Sequence, residues 1–179
     1  RQTRAVALLT AVLPGHPLIP ALVFPDTAVA ERIVAGLDTI GYLHPRLIRS
    51  REARQLTASQ PPTAETLGRL ERVWETGPGE VALVGWAALP GPDRHADLVL
   101  LCVTDERGEP MIVDMAPIFS PRPDKTAELG AAAATCGWAL RAPLGLFLRQ
   151  HSPVTITAWA FDSEHRELFP LAGTATLGQ

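Results

Sequence analysis

The sequence predicts a mostly β protein with an N-terminal α-helical segment, an α+β chain whose strands form an antiparallel β-sandwich. From residue 69 onward, about seven short apolar segments are separated by turn signals roughly every 10 residues, which is typical of a sandwich or barrel. Before that point apolar residues recur at helical spacing. Seventeen prolines and fourteen glycines favour short elements joined by tight turns.

The N-terminal part is predicted to be helical. Val29, Ile33, Val34, Leu37 and Ile40 recur at helical spacing between an N-cap at Asp26 or Thr27 and Gly41, and they predict a helix over 27–40. The apolar segment 5–13 predicts two helical turns, and the proline-rich stretch 16–20 predicts an extended connector. A polar connector follows, so we expect a helical segment over 1–66 and a sandwich domain over 67–179.

The central strand of the predicted sheet is the uncharged run Val81–Leu89, which is bounded by Gly and Pro on both sides. A run this short, with such boundaries, favours a strand buried on both faces. The segment 124–134 predicts a short inserted helix capped by Asp124, and 138–148 predicts a strand bent at Pro143 or Gly145. The remaining predicted strands are 70–74, 97–104, 111–118, 154–161 and 167–172.

Composition excludes several functional classes. A net charge of −3 gives no electrostatic footprint for nucleic acid, so no nucleic-acid partner is predicted. The five histidines and two cysteines show no metal-ligand spacing, and no nucleotide-binding or hydrolase motif is present. We therefore predict no cofactor, no metal and no catalytic residue. The chain begins at Arg1 rather than Met, and we expect it to be a fragment of a longer protein.

Three tryptophans are candidate ligand-binding residues, because each lies in a predicted strand: Trp86, Trp138 and Trp159. On one exposed face they would form a platform for sugar rings, whereas in a small sandwich they more often anchor the core. The small residues that flank each of them favour the core. A carbohydrate-binding module that uses these tryptophans stays an alternative.

Carboxylates supply the other candidates. A glycoside hydrolase requires two acids across a cleft, and the conceivable members are Asp93, Asp97, Asp114 and Asp124. Asp114 is unusual because apolar residues surround it, although strand alternation favours a wet face for it. Asp97 and Asp124 are also kept as candidate ligand-binding residues, and a hydrolase stays the second alternative.

An ordered series of short motifs carries a resemblance to a known type of domain: Gly85-Trp86-Ala87, Arg94-His95-Ala96-Asp97, Arg122-Pro123-Asp124 and Gly137-Trp138. The series resembles the extracytoplasmic C-terminal β-sandwich domain of bacterial polytopic membrane proteins. Those proteins resemble glycosyltransferases of the dolichyl-phosphate-mannose mannosyltransferase type. The helix start Phe24-Pro25-Asp26 and Gly41-Tyr42-Leu43 fit the helical stretch that precedes such a sandwich.

The resemblance implies a location and a role. It implies a non-catalytic domain outside the cytoplasm, periplasmic or at the cell surface, tethered to the membrane in the full-length protein and linked to cell-envelope glycan or glycolipid assembly. Its partners would be the transmembrane part of its own chain and a saccharide or glycolipid. The fragment itself is accordingly expected not to be an enzyme.

Overall fold

The structure, a computed structural model, describes residues 1–57, 67–91, 94–104, 107–148 and 153–178. It confirms the predicted fold class, with antiparallel strands in one curled sheet, helices at the N-terminus and a short inserted helix. The helices are α1 (Gln2–Leu9), α2 (Leu18–Leu22), α3 (Thr27–Thr39), α4 (Pro123–Leu129) and α5 (Leu144–Phe147). The strands are β1 (Gly68–Gly77), β2 (Glu80–Ala87), β3 (Leu98–Thr104), β4 (Pro110–Pro121), β5 (Thr135–Pro143), β6 (Val154–Asp162), β7 (Glu167–Pro170) and β8 (Ala175–Leu177).

The sheet has the strand order β1-β2-β5-β4-β3-β6-β7, and β8 also pairs with β6. Strand β4 joins its two halves, because its first part pairs with β3 as far as Pro117 and its last part pairs with β5 from Ile118 onward. The sheet curls until β1 meets the segment after β7, where the Leu70 N–H donates to the carbonyl of Ala172 at 2.8 Å. The two halves therefore face each other across one interior.

The interior is filled by apolar side chains from both halves, and the ring of Trp138 is the largest of them at 2% exposure. This ring lies against Gly85 of β2, the strand that pairs with β5 through Gly85 and Trp138 themselves. A Cβ at Gly85 would overlap the carbonyl oxygen of Arg69 and lie 2.7 Å from Cζ2 of Trp138. The Gly85 position is therefore the space that the Trp138 ring and the β1 backbone require.

The N-terminal helices form a layer on the outer face of the β3 half of the sheet. Ala5, Val6, Leu8 and Leu9 of α1 are fully buried, and they pack in one cluster with residues of β3, β4, β6 and β7. Strand β3 is thus covered on both faces, which explains its continuous apolar run 98–103. This outer layer also carries the connector that reaches the site described below.

Strand β2 is buried on both faces, as its composition predicts. Its inner face joins the interior, and on its outer face Trp86 packs with Ala133 and Cys136. The Lys125 ammonium of α4 lies 4.8 Å from the centroid of the Trp86 ring, within range of a cation–π interaction. The inserted helix therefore serves as the cover of this strand.

Several local predictions are wrong. The stretch 16–20 is not fully extended, because α2 begins at Leu18, and Pro20 lies in its first turn, where no helical hydrogen bond needs its missing N–H. Asp124 does not cap α4, since Arg122 occupies that position. The strand predicted over 138–148 ends at Pro143 and is followed by α5, and β8 was not predicted.

Some predictions lie outside the described residues. They include the centre of the polar connector, Asp93 and His151. The predicted division into 1–66 and 67–179 falls at the edge of the undescribed stretch 58–66 and stays a prediction.

The close approach at Gly85 gives a stability prediction. Gly85→Ala should lower the free energy of unfolding by about 3 kcal/mol, because the new methyl group would displace backbone and a packed indole. Gly77→Ala is the control, because a methyl group added there would meet open space, and it should change stability by less than about 1 kcal/mol. Urea unfolding of both variants measures this, and equal effects would contradict it.

Candidate functional site

A concavity opens where β4 separates from β5, and we call it the seam pocket. Residues 139–143 of β5 pair with β2, whereas β4 at 110–117 pairs with β3, so a gap separates the two strands. The gap has a volume of about 640 Å³, within the range of small-molecule sites. Its apolar lining includes Leu13, Leu18, Val113, Met115, Leu140 and Leu146.

A buried histidine–aspartate pair forms the polar part of the seam pocket. His16 lies on the connector between α1 and α2, and its Nε2 is 2.7 Å from Oδ1 of Asp114 on β4. The two side chains are 12% and 7% exposed. The same Oδ1 also accepts the backbone N–H of Met115 at 2.9 Å. The connector and the strand are therefore joined at the wall of the pocket.

The hydrogen bonds of His16 define its protonation. The backbone N–H of Leu18 donates to Nδ1 at 3.1 Å, so Nδ1 carries a lone pair rather than a proton. Nε2 must then carry the proton that is donated to Asp114. The imidazole is held neutral with both nitrogens engaged, and it leaves the charge of Asp114 in place.

The second carboxylate oxygen of Asp114 remains available. Both hydrogen bonds to Asp114 in the described part of the chain go to Oδ1. Oδ2 accepts none there, and it is not among the fully enclosed atoms that lack a partner. Since Asp114 lines the pocket, Oδ2 is its accessible acceptor there.

The connector that carries His16 is fixed from a third element. The N–H of Gly15 donates to Oε1 of Glu31 on α3 at 2.8 Å, and Gly15 has the left-handed φ of 73° that favours glycine. Pro14 and Pro17 restrict the backbone on either side. His16 is thus held at Asp114 by rigid neighbours and by α3.

Two arginines complete the lining of the seam pocket. Arg51 is positioned by its backbone, because its carbonyl accepts the N–H of Ile112 at 2.7 Å. Arg141 is fixed on β5 opposite Ala82. Both side chains are exposed, and neither has an ion-pair partner among the residues that the structure describes.

Asp38 on α3 positions the segment that leads to Arg51. Its carboxylate accepts the N–H of Leu47 at 3.0 Å and a guanidinium hydrogen of Arg49 at 2.7 Å. The Leu47 N–H and the Arg49 side chain lower the pKa of Asp38 below its ordinary value. The helix α3 therefore supports both the His16 connector and the Arg51 segment.

A second, smaller polar cavity of about 110 Å³ lies at the other end of α1. There Oδ2 of Asp97 accepts the N–H and the hydroxyl of Ser163 at 2.9 and 2.6 Å, and Arg4 donates to the same hydroxyl. Asp162 pairs with Arg94 and His165. Burial raises the pKa of Asp162, but the hydrogen bonds from His165 and Arg94 outweigh it and hold the pKa below the ordinary value. These contacts attach α1 to the β6–β7 turn.

The structure does not bring the three predicted tryptophans together. Trp138 lies in the interior, Trp86 on the outer face under α4, and Trp159 is half-buried on the outer face that the N-terminal helices cover. Asp97 is buried in the smaller cavity, and Asp124 is exposed and ion-paired with Arg122, which lowers its pKa to about 2. None of these five residues lines the seam pocket.

The described residues give little support to a pair of catalytic carboxylates, a reactive thiol or a metal site. Asp97 and Asp114 line different cavities, and Asp93 lies outside the described residues. Cys102 and Cys136 are free and buried, and burial raises the pKa of both thiols. Within the described ranges no three His, Cys, Asp or Glu residues come together as a metal site.

The sequence analysis did not select His16, Arg51 or Arg141 as site residues. The signal at Asp114 was present, since a carboxylate within an apolar strand requires a partner when it is buried. The partner is 98 residues away in a connector, and no local pattern joins the two. The prediction that the Asp114 side chain faces solvent is wrong, because the connector covers it.

No protein-family model and no curated protein matches this chain. Among solved structures, it is similar to a superoxide reductase (neelaredoxin) from Archaeoglobus fulgidus, a variant in the reduced form, at 17% identity. The match covers 69% of this chain and 99% of that chain, with a TM-score of 0.35. A likeness of this degree assigns no activity to the present chain.

These comparisons correct the resemblance drawn from the sequence. Neither a family model nor a curated protein supports a domain of a glycosyltransferase-related membrane protein, and the solved structure described above belongs to a different kind of protein. The predicted role in cell-envelope glycan assembly is therefore wrong, together with its carbohydrate-binding and hydrolase alternatives. The prediction that the fragment is not an enzyme is also contradicted by this comparison.

The predicted extracytoplasmic location and the predicted partners stay predictions. Among the helices of the described ranges, none has the length and apolar character that crossing a membrane requires.

The environment of Asp38 gives a pH-dependent prediction. Because its folded-state pKa lies below the ordinary value of 3.8, the charged carboxylate stabilises the fold at neutral pH, and this contribution is lost as the pH falls through the folded-state pKa. Asp38→Asn should therefore be less stable than the parent at pH 7, with a deficit that shrinks below about pH 4.

Urea unfolding at pH 7, 5 and 3 measures this deficit. Asp26→Asn is the control, because asparagine caps α3 as well as aspartate does and should change little at any of these pH values. A deficit for Asp38→Asn that does not depend on pH would contradict the assignment.

Proposed function

We propose that the protein binds a small, mainly apolar molecule in the seam pocket and that Asp114 holds a hydrogen-bond donor or ammonium group of that molecule. The observation that carries the proposal is the Oδ2 of Asp114, which accepts no hydrogen bond from the described residues and belongs to a carboxylate that is 7% exposed at the wall of a cavity of about 640 Å³.

The apolar lining supports the class of ligand. Leucine, valine and methionine side chains contribute most of the walls, together with prolines from the connector and from both strands. Removing apolar surface from water contributes about 25 cal/mol per Å², so an aliphatic or aromatic body is favoured here over a sugar or a nucleotide. The pocket is already open in the folded chain, and a ligand would not need to rearrange the sheet.

The state of Asp114 supports the polar part of the proposal. Oδ2 is open to the pocket, and a donor that reaches it there forms a charge-assisted hydrogen bond in a partly buried setting. The neutral His16 does not cancel the charge, because its proton is shared with Oδ1 and its other nitrogen accepts from Leu18. A primary ammonium is therefore the group that best matches Oδ2.

The lining gives less support to a covalent mechanism. It holds no Ser, Thr, Cys, Lys or Tyr among the described residues, and both ring nitrogens of His16 are engaged. Binding is the activity that these side chains support directly.

Octylamine, an eight-carbon chain with one ammonium, is a suitable first probe. At pH 7 we expect saturable binding by calorimetry, with amide chemical shifts that change around the connector and β4. Asp114→Asn should weaken binding about tenfold, because the charge is removed while an oxygen remains for His16 and Met115.

Asp124→Asn is the matched control, since it removes the same charge from an exposed site on α4. Leu146→Trp, which should fill the rim of the pocket, provides a second way to abolish binding if Asp114→Asn does not fold. Undiminished binding in both Asp114→Asn and Leu146→Trp would refute the proposal.

A further inference from the structure

The seam pocket contains charges of both signs that do not neutralise each other. Its ionisable lining consists of His16, Arg51, Asp114 and Arg141. His16 is neutral by its hydrogen bonds, and within the described residues it is the sole group within ion-pair distance of Asp114. The lining therefore combines one carboxylate residue with two arginines.

The arginines are held at the pocket by backbone contacts. The carbonyl of Arg51 binds the N–H of Ile112, two residues before Asp114, and Arg141 extends from the part of β5 that has separated from β4. Neither guanidinium comes within 4.0 Å of the Asp114 carboxylate, so no direct ion pair joins these opposite charges.

Different ligand charges satisfy this lining to different extents. A neutral or purely cationic molecule leaves both guanidinium groups without a partner, and a purely anionic one meets the uncompensated Asp114. A molecule with both an ammonium and a carboxylate pairs with Asp114 at one group and with arginine at the other. Arginine is well suited to this task, because its planar donors bind a carboxylate through two parallel hydrogen bonds.

We infer that the ligand of the seam pocket is an amphipathic zwitterion, an amino-carboxylate on an apolar body, whose carboxylate binds Arg51 and Arg141. This inference rests on the proposed function, since it assigns the second end of a ligand whose ammonium binds Asp114. The ligand class includes apolar amino acids, and it also includes longer amino acids with the two charges at opposite ends.

Four compounds with the same eight-carbon body test the inference: octylamine, octanoate, L-2-aminooctanoate and 8-aminooctanoate. One of the two amino acids should bind at least about tenfold more tightly than octylamine and than octanoate, as expected for an added charge-assisted hydrogen bond. The separation of the ammonium and the carboxylate in the tighter ligand then reports the separation of the two charged sites.

Substitutions show which residues cause the higher affinity of the amino acid. Arg51→Gln or Arg141→Gln should reduce the advantage of the amino acid over octylamine, measured within the same variant, because the partner of the carboxylate is removed while Asp114 is retained. Arg32→Gln, on an exposed position of α3 away from the pocket lining, is the matched control and should preserve the advantage.

Each result decides a different statement. If both amino acids bind no more tightly than octylamine, the arginines do not select a carboxylate and the inference is overturned, while the proposed function stands. If octanoate binds as tightly as the better amino acid, the ammonium contributes nothing and the inference is again overturned. If none of the four compounds binds, the proposed function fails as well.

Discussion

The change of partner along β4 is the constraint on which the rest of the structure depends. Pro117 is the last residue paired with β3, and Ile118 is the first paired with β5. Proline has no backbone N–H, so it cannot contribute a donor to a second ladder at this position. The two halves of the sheet remain continuous through β4, and the part of β5 beyond Trp138 is left with β2 as its neighbour. The seam pocket is the space that this divergence creates.

Such a gap would normally expose the sandwich interior. The N-terminal helices cover the sheet beside the gap more completely than the gap itself. α1 and α2 cover the outer face of the β3 half, whereas their connector and the first residue of α2 line the gap. A connector has unpaired backbone groups, and here they are used: the N–H of Gly15 binds Glu31, and the N–H of Leu18 binds His16. The gap is therefore bordered by a fixed polar segment instead of being filled by a helix.

Much of the architecture could be predicted from the sequence because it depends on local pattern. Turn residues and apolar runs placed most of the strands, and the run Val81–Leu89 correctly indicated a strand covered on both faces. The small residues beside the tryptophans also have a packing cause, shown by Gly85 against the Trp138 ring. That cause is general to closed β cores, which is why Gly-Trp-Ala motifs were a poor basis for a family resemblance.

The site could not be predicted in the same way, because its residues come from four separate parts of the chain. His16 resembled a solvated loop histidine, and strand alternation placed Asp114 on a wet face. Local sequence signals hold no information on a contact between residues 98 positions apart.

The hydrogen bonds of His16 give the site its character. A protonated imidazole or an arginine at this position would compensate the charge of Asp114 and leave a cavity that is mainly apolar. Instead the Leu18 N–H requires a lone pair on Nδ1, so His16 stabilises Asp114 with a neutral donor and directs that donor to Oδ1 alone. The charge persists on a carboxylate whose Oδ2 lacks a partner among the described residues, while Arg51 and Arg141 stay beyond ion-pair distance. A ligand that carries both an ammonium and a carboxylate can therefore pair with Asp114 and with an arginine at the same time.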